Sequence, residues 1–272
     1  MPFTFAHPAA VIPIHRRTGG ATVLSALVVG SMVPDFDYVV ALGLGRGFTH
    51  SLPGLLLYCL PMGLAIYLAY HALIKPVVVS LLPRQIRLRL ASAGATSWLP
   101  WASVAWVALS ILLGATTHVV WDSFTHQGAF FVSRLPVLSA TAFEIAGHPV
   151  AVYSVLQHCS TAAGLALLAY WTVRWYRATP PTSAATIWRP SPRLRGAALV
   201  AIAMVPAAAV ARALVTYMRY ADDTTTMEIL KLLMRFGVIT GMKFGIVILC
   251  TLGLLWRVLE HVRPAPGGVR QG

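Results

Sequence analysis

Two carboxylates, Asp35 and Asp37, follow an apolar run and a proline within residues 28–38. The whole chain has only eight acidic residues, so this close pair is unusual. Carboxylates in apolar surroundings are costly unless they are paired or bind a cation. We therefore take both as candidate metal ligands. For Asp37 three roles remain open: a metal ligand, a bridge between two ions, or a general base.

A second polar set lies at the end of a later apolar run. His118 and Asp122 are four residues apart and so share one face of a helix, and His126 follows at the same spacing if the helix continues. Such a pair offers one imidazole nitrogen and one carboxylate oxygen to a cation. Mixed donors suit Zn²⁺, Mn²⁺ or Fe²⁺, whereas Mg²⁺ and Ca²⁺ prefer oxygen alone.

Two more histidines, His7 and His50, are expected on the same side of the membrane as these acids. The donors exceed the needs of one ion, so the sequence predicts one or two divalent ions, with zinc favoured and Mn, Fe or Mg as alternatives. The candidate metal ligands are His7, Asp35, Asp37, His50, His118 and Asp122, and the candidate catalytic residues are Asp37 and His126. Two further residues are candidates for a supporting role: His158, otherwise an interhelical hydrogen-bonding group, and Glu144, otherwise a loop residue.

Composition indicates a membrane protein. Hydrophobic residues make up 57% of the 272-residue chain and charged residues only 11%, against about 25% in an ordinary globular domain. The net charge of +13 comes from basic segments between apolar runs, which is typical of the positive-inside rule, and we expect no nucleic-acid partner. The three cysteines lie in apolar runs without metal-ligand spacing. The first 20 residues lack a basic n-region, so no cleavable signal peptide is expected.

The apolar runs predict an all-α polytopic helical bundle with five or six spans. Five spans are expected at residues 51–74, 98–121, 149–173, 196–218 and 229–256, with an interfacial segment at 75–97 and a loop at 123–148. Residues 8–17 and 21–33 are each too short to span, and Gly19-Gly20 separates them, which favours a helical hairpin that returns Asp35 to His7. The alternative is a single span over residues 21–42.

The distribution of basic residues predicts the orientation. Twelve of the 21 Lys and Arg residues lie in segments 75–97 and 174–195 and in the C-terminal tail, and we expect these segments to face the cytoplasm. The acids and histidines then lie on the outer side. By domain, we expect a metal-site membrane domain at 1–175, a basic Pro-rich cytoplasmic linker at 176–195, and two C-terminal spans with a tail at 196–272.

The motifs also resemble a known family. The opening Met-Pro-Phe-Thr-Phe-Ala-His-Pro-Ala-Ala, Gly-Ser-Met-Val-Pro-Asp-Phe-Asp-Tyr, Thr-His-Ser and Thr-His-Val-Val-Trp-Asp-Ser-Phe-Thr-His resemble the DUF4184 family of bacterial membrane proteins. The order of the aspartate and histidine motifs along the chain is also similar to that of the membrane-bound metal-dependent hydrolases (DUF457-like) and of zinc-dependent phospholipase C and nuclease folds. This resemblance implies His7, Asp35, His50, His118 and Asp122 as metal ligands. The chain lacks a later His-x-x-x-Glu, so a three-metal site does not carry over.

The sequence thus predicts a metal-dependent hydrolase of the cytoplasmic membrane, with its site facing outward. The expected substrate is a phosphoester or lipid-like molecule at headgroup depth, and membrane lipids are the expected partners. A Mg²⁺-dependent prenyl-diphosphate transferase or cyclase is the second reading, although histidine donors argue against it. The third is a cation-binding membrane protein or transporter, which predicts polar residues across the whole membrane.

Overall fold

The computed structural model describes residues 3–19, 21–91, 101–145, 147–181, 190–220 and 237–262. Helices dominate, as expected. They are α1 (Pro8–Arg17), α2 (Leu24–Gly30), α3 (Asp37–Val40), α4 (Arg46–Thr49), α5 (Leu52–Leu81), α6 (Arg84–Ala91), α7 (Trp101–Thr125), α8 (Pro136–Ser139), α9 (Val152–Ala178), α10 (Pro192–Tyr220) and α11 (Val238–Val262).

Among the described residues, five helices are long and apolar enough to cross a membrane, which confirms the predicted multi-pass bundle. The spanning segments are Leu52–Leu81, Ser103–Thr125, Val152–Ala178, Pro192–Thr216 and Val238–Val258. The first one runs seven residues past the expected end at residue 74. Lys75 suggested an interfacial segment there, but Val77 and Leu81 pack into an apolar core and extend the helix. Residues 92–97 of that predicted segment lie outside the described residues.

The N-terminal segment is a hairpin of short helices and not one span over residues 21–42. Helix α1 starts at Pro8, whose fixed φ suits a first helical turn, and ends before Gly19, which has a φ of +58°. The returning helix α2 packs against α1 and α7. A short 3₁₀ turn, Val33–Asp35, then brings the acidic pair to the end of the hairpin.

Helices α2 and α7 approach each other closely through glycines. A Cβ atom at Gly30 would collide with the backbone of Ile111, and one at Gly114 would collide with the backbone of Leu27. Small residues allow helix backbones in membranes to meet in this way. The contact fixes the hairpin against α7 one turn before His118, so it sets the geometry of the site.

The chain forms two compact units. The first comprises Met1–Tyr67 and Thr96–Pro180 and the second Leu68–Ala95 and Pro181–Gly272. The first unit contains the hairpin, α7 and α9, and its core is built around Val33, Tyr58 and Ala115. It also contains a small antiparallel pair of strands, β1 (Thr141–Ile145) and β2 (His148–Ala151), within what the sequence suggested was a loop. The second unit has its own core of four buried residues, Val77, Leu81, Ala198 and Trp256.

Candidate metal site

Two aspartates and two histidines from three chain segments meet in the first unit. They are Asp35 from the hairpin, His50 from the loop before α5, and His118 and Asp122 from α7, and one ligand atom of each lies within 4.8 Å of all the others. Asp35, His118 and Asp122 are 4%, 0% and 1% exposed, respectively. Such burial of two carboxylates in a membrane protein requires a partner that compensates their charge.

The separations between these atoms fit a metal ion. Nε2 of His50 and Nε2 of His118 each lie 3.3 Å from Oδ2 of Asp122. The same two nitrogens lie 3.6 and 3.7 Å from Oδ1 of Asp35. Charge-assisted hydrogen bonds would be shorter, at about 2.7–2.9 Å. In a tetrahedral site with metal–ligand distances of about 2.0–2.2 Å, ligand atoms lie roughly 3.3–3.6 Å apart.

The hydrogen bonding of the cluster leaves a consistent set of atoms unpaired. Six buried atoms of the cluster have no hydrogen-bond partner among the described residues: Nε2 of His7, His50, His118 and His126, and Oδ1 of Asp35 and Asp122. Buried polar atoms are nearly always paired, so each exception needs an explanation. A divalent cation among them would satisfy several at once.

His118 is oriented by the hairpin. Its Nδ1 lies 2.7 Å from the carbonyl oxygen of Ser31. Because a carbonyl only accepts, Nδ1 carries a proton and donates, so in the neutral imidazole Nε2 has the lone pair that faces the cluster. This is the usual arrangement of a metal-binding histidine, whose second nitrogen is held by a carbonyl or carboxylate.

Asp35 is oriented by the opening residues of the chain. The hydroxyl of Thr4 donates to Oδ2 at 2.7 Å, so Oδ1 is the oxygen that faces the histidines. Thr4 belongs to a 3₁₀ turn, Thr4–Ala6, directly before His7. The hairpin therefore brings residues 4–7 back to Asp35, as the sequence suggested.

His50 is positioned by a glycine-rich loop. Gly43 and Gly45 have φ angles of +73° and +76°, which glycine adopts without strain. His50 follows α4 directly, and its Nδ1 lies 2.9 Å from the hydroxyl oxygen of Thr49. Ser51 then caps α5 by accepting from the backbone N–H of Gly54 at 3.1 Å.

Arg46 is a site residue that the sequence reasoning missed. Its Nη2 donates to Oδ2 of Asp122 at 2.7 Å, and its side chain is 27% exposed. In the sequence it counted only toward membrane orientation. Its position could have indicated a role in the site, because Arg46 is the one basic residue of the glycine-rich loop between Asp37 and His50.

His7 and His126 face the other oxygen of Asp122. Nε2 of His7 and Nδ1 of His126 each lie 3.5 Å from Oδ1. Nδ1 of His126 also lies 3.2 Å from the carbonyl oxygen of Asp122. The ring of His7 stacks on that of His118, with centroids 3.8 Å apart.

Burial keeps the outer histidines of the cluster neutral. Burial, together with nearby His118, lowers the pKa of His7 to about 3. Burial also lowers the pKa of His126 to about 4 and that of His50 below its ordinary value, with the charge of Arg46 acting in the same direction on both. A neutral imidazole is the form that binds metal.

The remaining predicted residues lie apart from the four-ligand group. The carboxylate of Asp37 accepts from the backbone N–H of Gly45 at 3.1 Å and of Leu44 at 3.4 Å, so it holds the glycine-rich loop. Glu144 is exposed on β1, and His158 is exposed on α9. The structure does not bring either of these two into the buried cluster.

Comparison with known proteins gives one relationship. No curated protein and no solved structure matches the chain. The family model described as "Domain of unknown function (DUF4184)" matches residues 1–251, which include every residue of the cluster. The protein therefore belongs to the DUF4184 family, as the resemblance of its motifs suggested.

Proposed function

We propose that the protein is a membrane-embedded, metal-dependent hydrolase that acts on a phosphoester, with a lipid-like substrate favoured. The observation that carries this proposal is the buried set of Asp35, His50, His118 and Asp122, whose facing atoms are spaced as metal ligands. Three of those atoms, Nε2 of His50, Nε2 of His118 and Oδ1 of Asp35, have no hydrogen-bond partner among the described residues. The similar motif order in membrane-bound metal-dependent hydrolases supports the same reading.

The donor set favours zinc. Two imidazole nitrogens and two carboxylate oxygens suit Zn²⁺, and also Mn²⁺ or Fe²⁺. Mg²⁺ prefers oxygen ligands and retains several waters, which a site with two buried histidines does not favour. The donor chemistry therefore also argues against the Mg²⁺-dependent prenyl-diphosphate reading.

Charge at the site favours an anionic substrate. With neutral histidines, a divalent cation balances Asp35 and Asp122, and the charge of Arg46 remains. The guanidinium contacts Asp122 through one nitrogen and is partly exposed, so its other N–H groups can bind a phosphoryl oxygen. When bound, the metal ion would polarise that ester and activate a water. We assign proton transfer to His126, with Asp37 as the alternative.

The depth of the site favours a substrate at the membrane surface. Asp122 lies three residues before the end of α7 at Thr125, which is about 5 Å along the helix axis. For a helix that spans a hydrocarbon core about 30 Å thick, this level is that of the lipid headgroups. From the distribution of Lys and Arg we assign the site to the outer side of the cytoplasmic membrane.

Metal analysis of the detergent-purified protein tests the proposal. We expect stoichiometric zinc or manganese in the wild type and its loss in Asp35→Ala and in His118→Ala. His71→Ala is the matched control, because His71 is also a histidine of an apolar helix, in α5, and should leave metal content unchanged. Hydrolysis of bis(p-nitrophenyl) phosphate or of a phospholipid in mixed micelles should follow metal content. A wild-type protein without stoichiometric metal would overturn the proposal.

A further inference from the structure

We propose that the centre is dinuclear, with Asp122 bridging two divalent ions and His7 as a ligand of the second ion. This inference rests on the proposed function and adds a second ion site to the four-ligand site. The second ion site lies on the Oδ1 side of the Asp122 carboxylate, away from His50 and His118.

The two oxygens of Asp122 face different partners. Oδ2 faces Nε2 of His50 and of His118, each at 3.3 Å. Oδ1 faces Nε2 of His7 and Nδ1 of His126, each at 3.5 Å. A carboxylate whose oxygens point to separate nitrogen donors is arranged to bridge two cations.

The stacking of His7 on His118 sets the separation of those cations. The ring centroids are 3.8 Å apart and the planes are inclined by only 17°. An imidazole binds metal in its own plane, so two ions on the two Nε2 atoms would be offset by nearly the ring spacing. Two-metal hydrolytic sites have ions about 3.5–4 Å apart.

The unpaired atoms point to a ligand in this second position. His7 is only 6% exposed, and its Nε2 has no hydrogen-bond partner among the described residues. The same is true of Oδ1 of Asp122. An ion in the first position, on the Oδ2 side of the carboxylate, would not satisfy either of these atoms.

The position of His7 is fixed by its surroundings. The residue lies between the 3₁₀ turn Thr4–Ala6 and the start of α1 at Pro8. Ala6 is pressed against α9, where a Cβ atom at Gly164 would lie 3.0 Å from the Ala6 carbonyl oxygen. This packing holds the imidazole against His118 instead of letting it turn away.

The two positions would differ in their chemistry. The first offers four protein ligands, whereas to the second we assign two of the described residues, through Nε2 of His7 and Oδ1 of Asp122. An ion with open coordination positions is the one that can take water and substrate. His126 faces the same oxygen and is suitably placed to accept a proton from that water.

Metal counting on the full-length protein tests the inference. We expect two ions per chain in the wild type and one in His7→Ala, while His15→Ala, a histidine of α1 outside the cluster, keeps two. Mn²⁺-loaded wild type should give an exchange-coupled electron paramagnetic resonance spectrum, and His7→Ala an uncoupled six-line spectrum. The wild-type spectrum tests the proposal even if the variant fails to fold.

The outcomes separate the two proposals. One ion in the wild type, lost in Asp35→Ala, with an uncoupled Mn²⁺ spectrum, would overturn the second ion and leave the four-ligand site intact. Two ions retained in His7→Ala would overturn the assignment of His7. No bound ion in the wild type would defeat both the proposed function and this inference.

Discussion

The carbonyl oxygen of Ser31 accepts a hydrogen bond from Nδ1 of His118 at 2.7 Å. This single contact joins the end of the hairpin helix α2 to the helix that supplies two candidate ligands. It determines which nitrogen of His118 is free, and therefore which atom can bind metal. The geometry of the helix contact and the chemistry of the site are thus linked.

Gly114→Ala tests that link. A Cβ atom at this position would lie 2.7 Å from the backbone nitrogen of Ser31, so α2 must shift away from α7. We expect the affinity for zinc to fall roughly 10- to 100-fold, the usual effect of disturbing the group that orients a ligand. Gly245→Ala is the control, because a Cβ atom there meets nothing within 4 Å. Titration with a competing chelator measures both, and equal affinities would contradict the link.

Thr4→Val removes the hydroxyl that donates to Asp35. A hydrogen bond to a charged group contributes about 1.5–3 kcal/mol, so we expect lower stability and roughly tenfold weaker metal binding. Thr116→Val is the control, since the Thr116 hydroxyl only donates to the carbonyl of Leu112 on the same helix. Thermal unfolding with and without added zinc reports both effects. A Thr4 variant that matched the control would show that the hydroxyl does not orient Asp35.

Asp37→Ala separates loop organisation from metal binding. The Asp37 carboxylate holds the backbone N–H groups of Leu44 and Gly45, which precede Arg46. We expect the variant to retain its metal but to lose activity, because the loop no longer positions Arg46. Metal content and hydrolysis are compared with those of Asp35→Ala. If Asp37→Ala lost metal to the same extent, Asp37 would be a ligand, as the sequence first suggested.

Arg46→Gln tests recognition of an anionic substrate. The loss of a charge-assisted contact of about 1.5–3 kcal/mol predicts a rise in KM of roughly 10- to 100-fold with metal content unchanged. Arg134→Gln is the matched control, because the Arg134 guanidinium donates a hydrogen bond to the carbonyl oxygen of Phe130, outside the cluster. Steady-state kinetics with a phosphodiester gives the comparison. An unchanged KM in Arg46→Gln would remove Arg46 from substrate binding.

Removal of metal should lower the stability of the folded protein. An ion that binds only the native state contributes about 2.7 kcal/mol when its free concentration is 100 times Kd. We expect a chelator to lower the Tm of the wild type and zinc to restore it. His118→Ala should show no such response, since His118 supplies a donor atom to the cluster. A chelator effect of equal size in this variant would mean that the ion binds elsewhere.

Much of the architecture could be predicted because it follows from local patterns. The apolar runs gave the five spans, and the Gly19-Gly20 break together with short flanking runs gave the hairpin. The spacing of His118 and Asp122 placed them on one helix face, and the structure has them together.

The structural features that could not be predicted from the sequence depend on tertiary contacts. The role of Arg46 depends on a loop that folds back onto α7, a contact between residues far apart in sequence. The continuation of α5 to Leu81 depends on packing, which outweighed the charge of Lys75. The loop hydrogen bonds of Asp37 follow from left-handed glycines, which composition alone does not locate.

The glycine contact between α2 and α7 has a consequence for biosynthesis. The hairpin is synthesised long before α7, yet its acidic residue meets His118 only after α7 has inserted. Until then Asp35 is a carboxylate without His118, and an incompletely paired carboxylate is costly within a membrane. We therefore expect the hairpin to reach its final position only after α7 has inserted, with metal uptake completing the site.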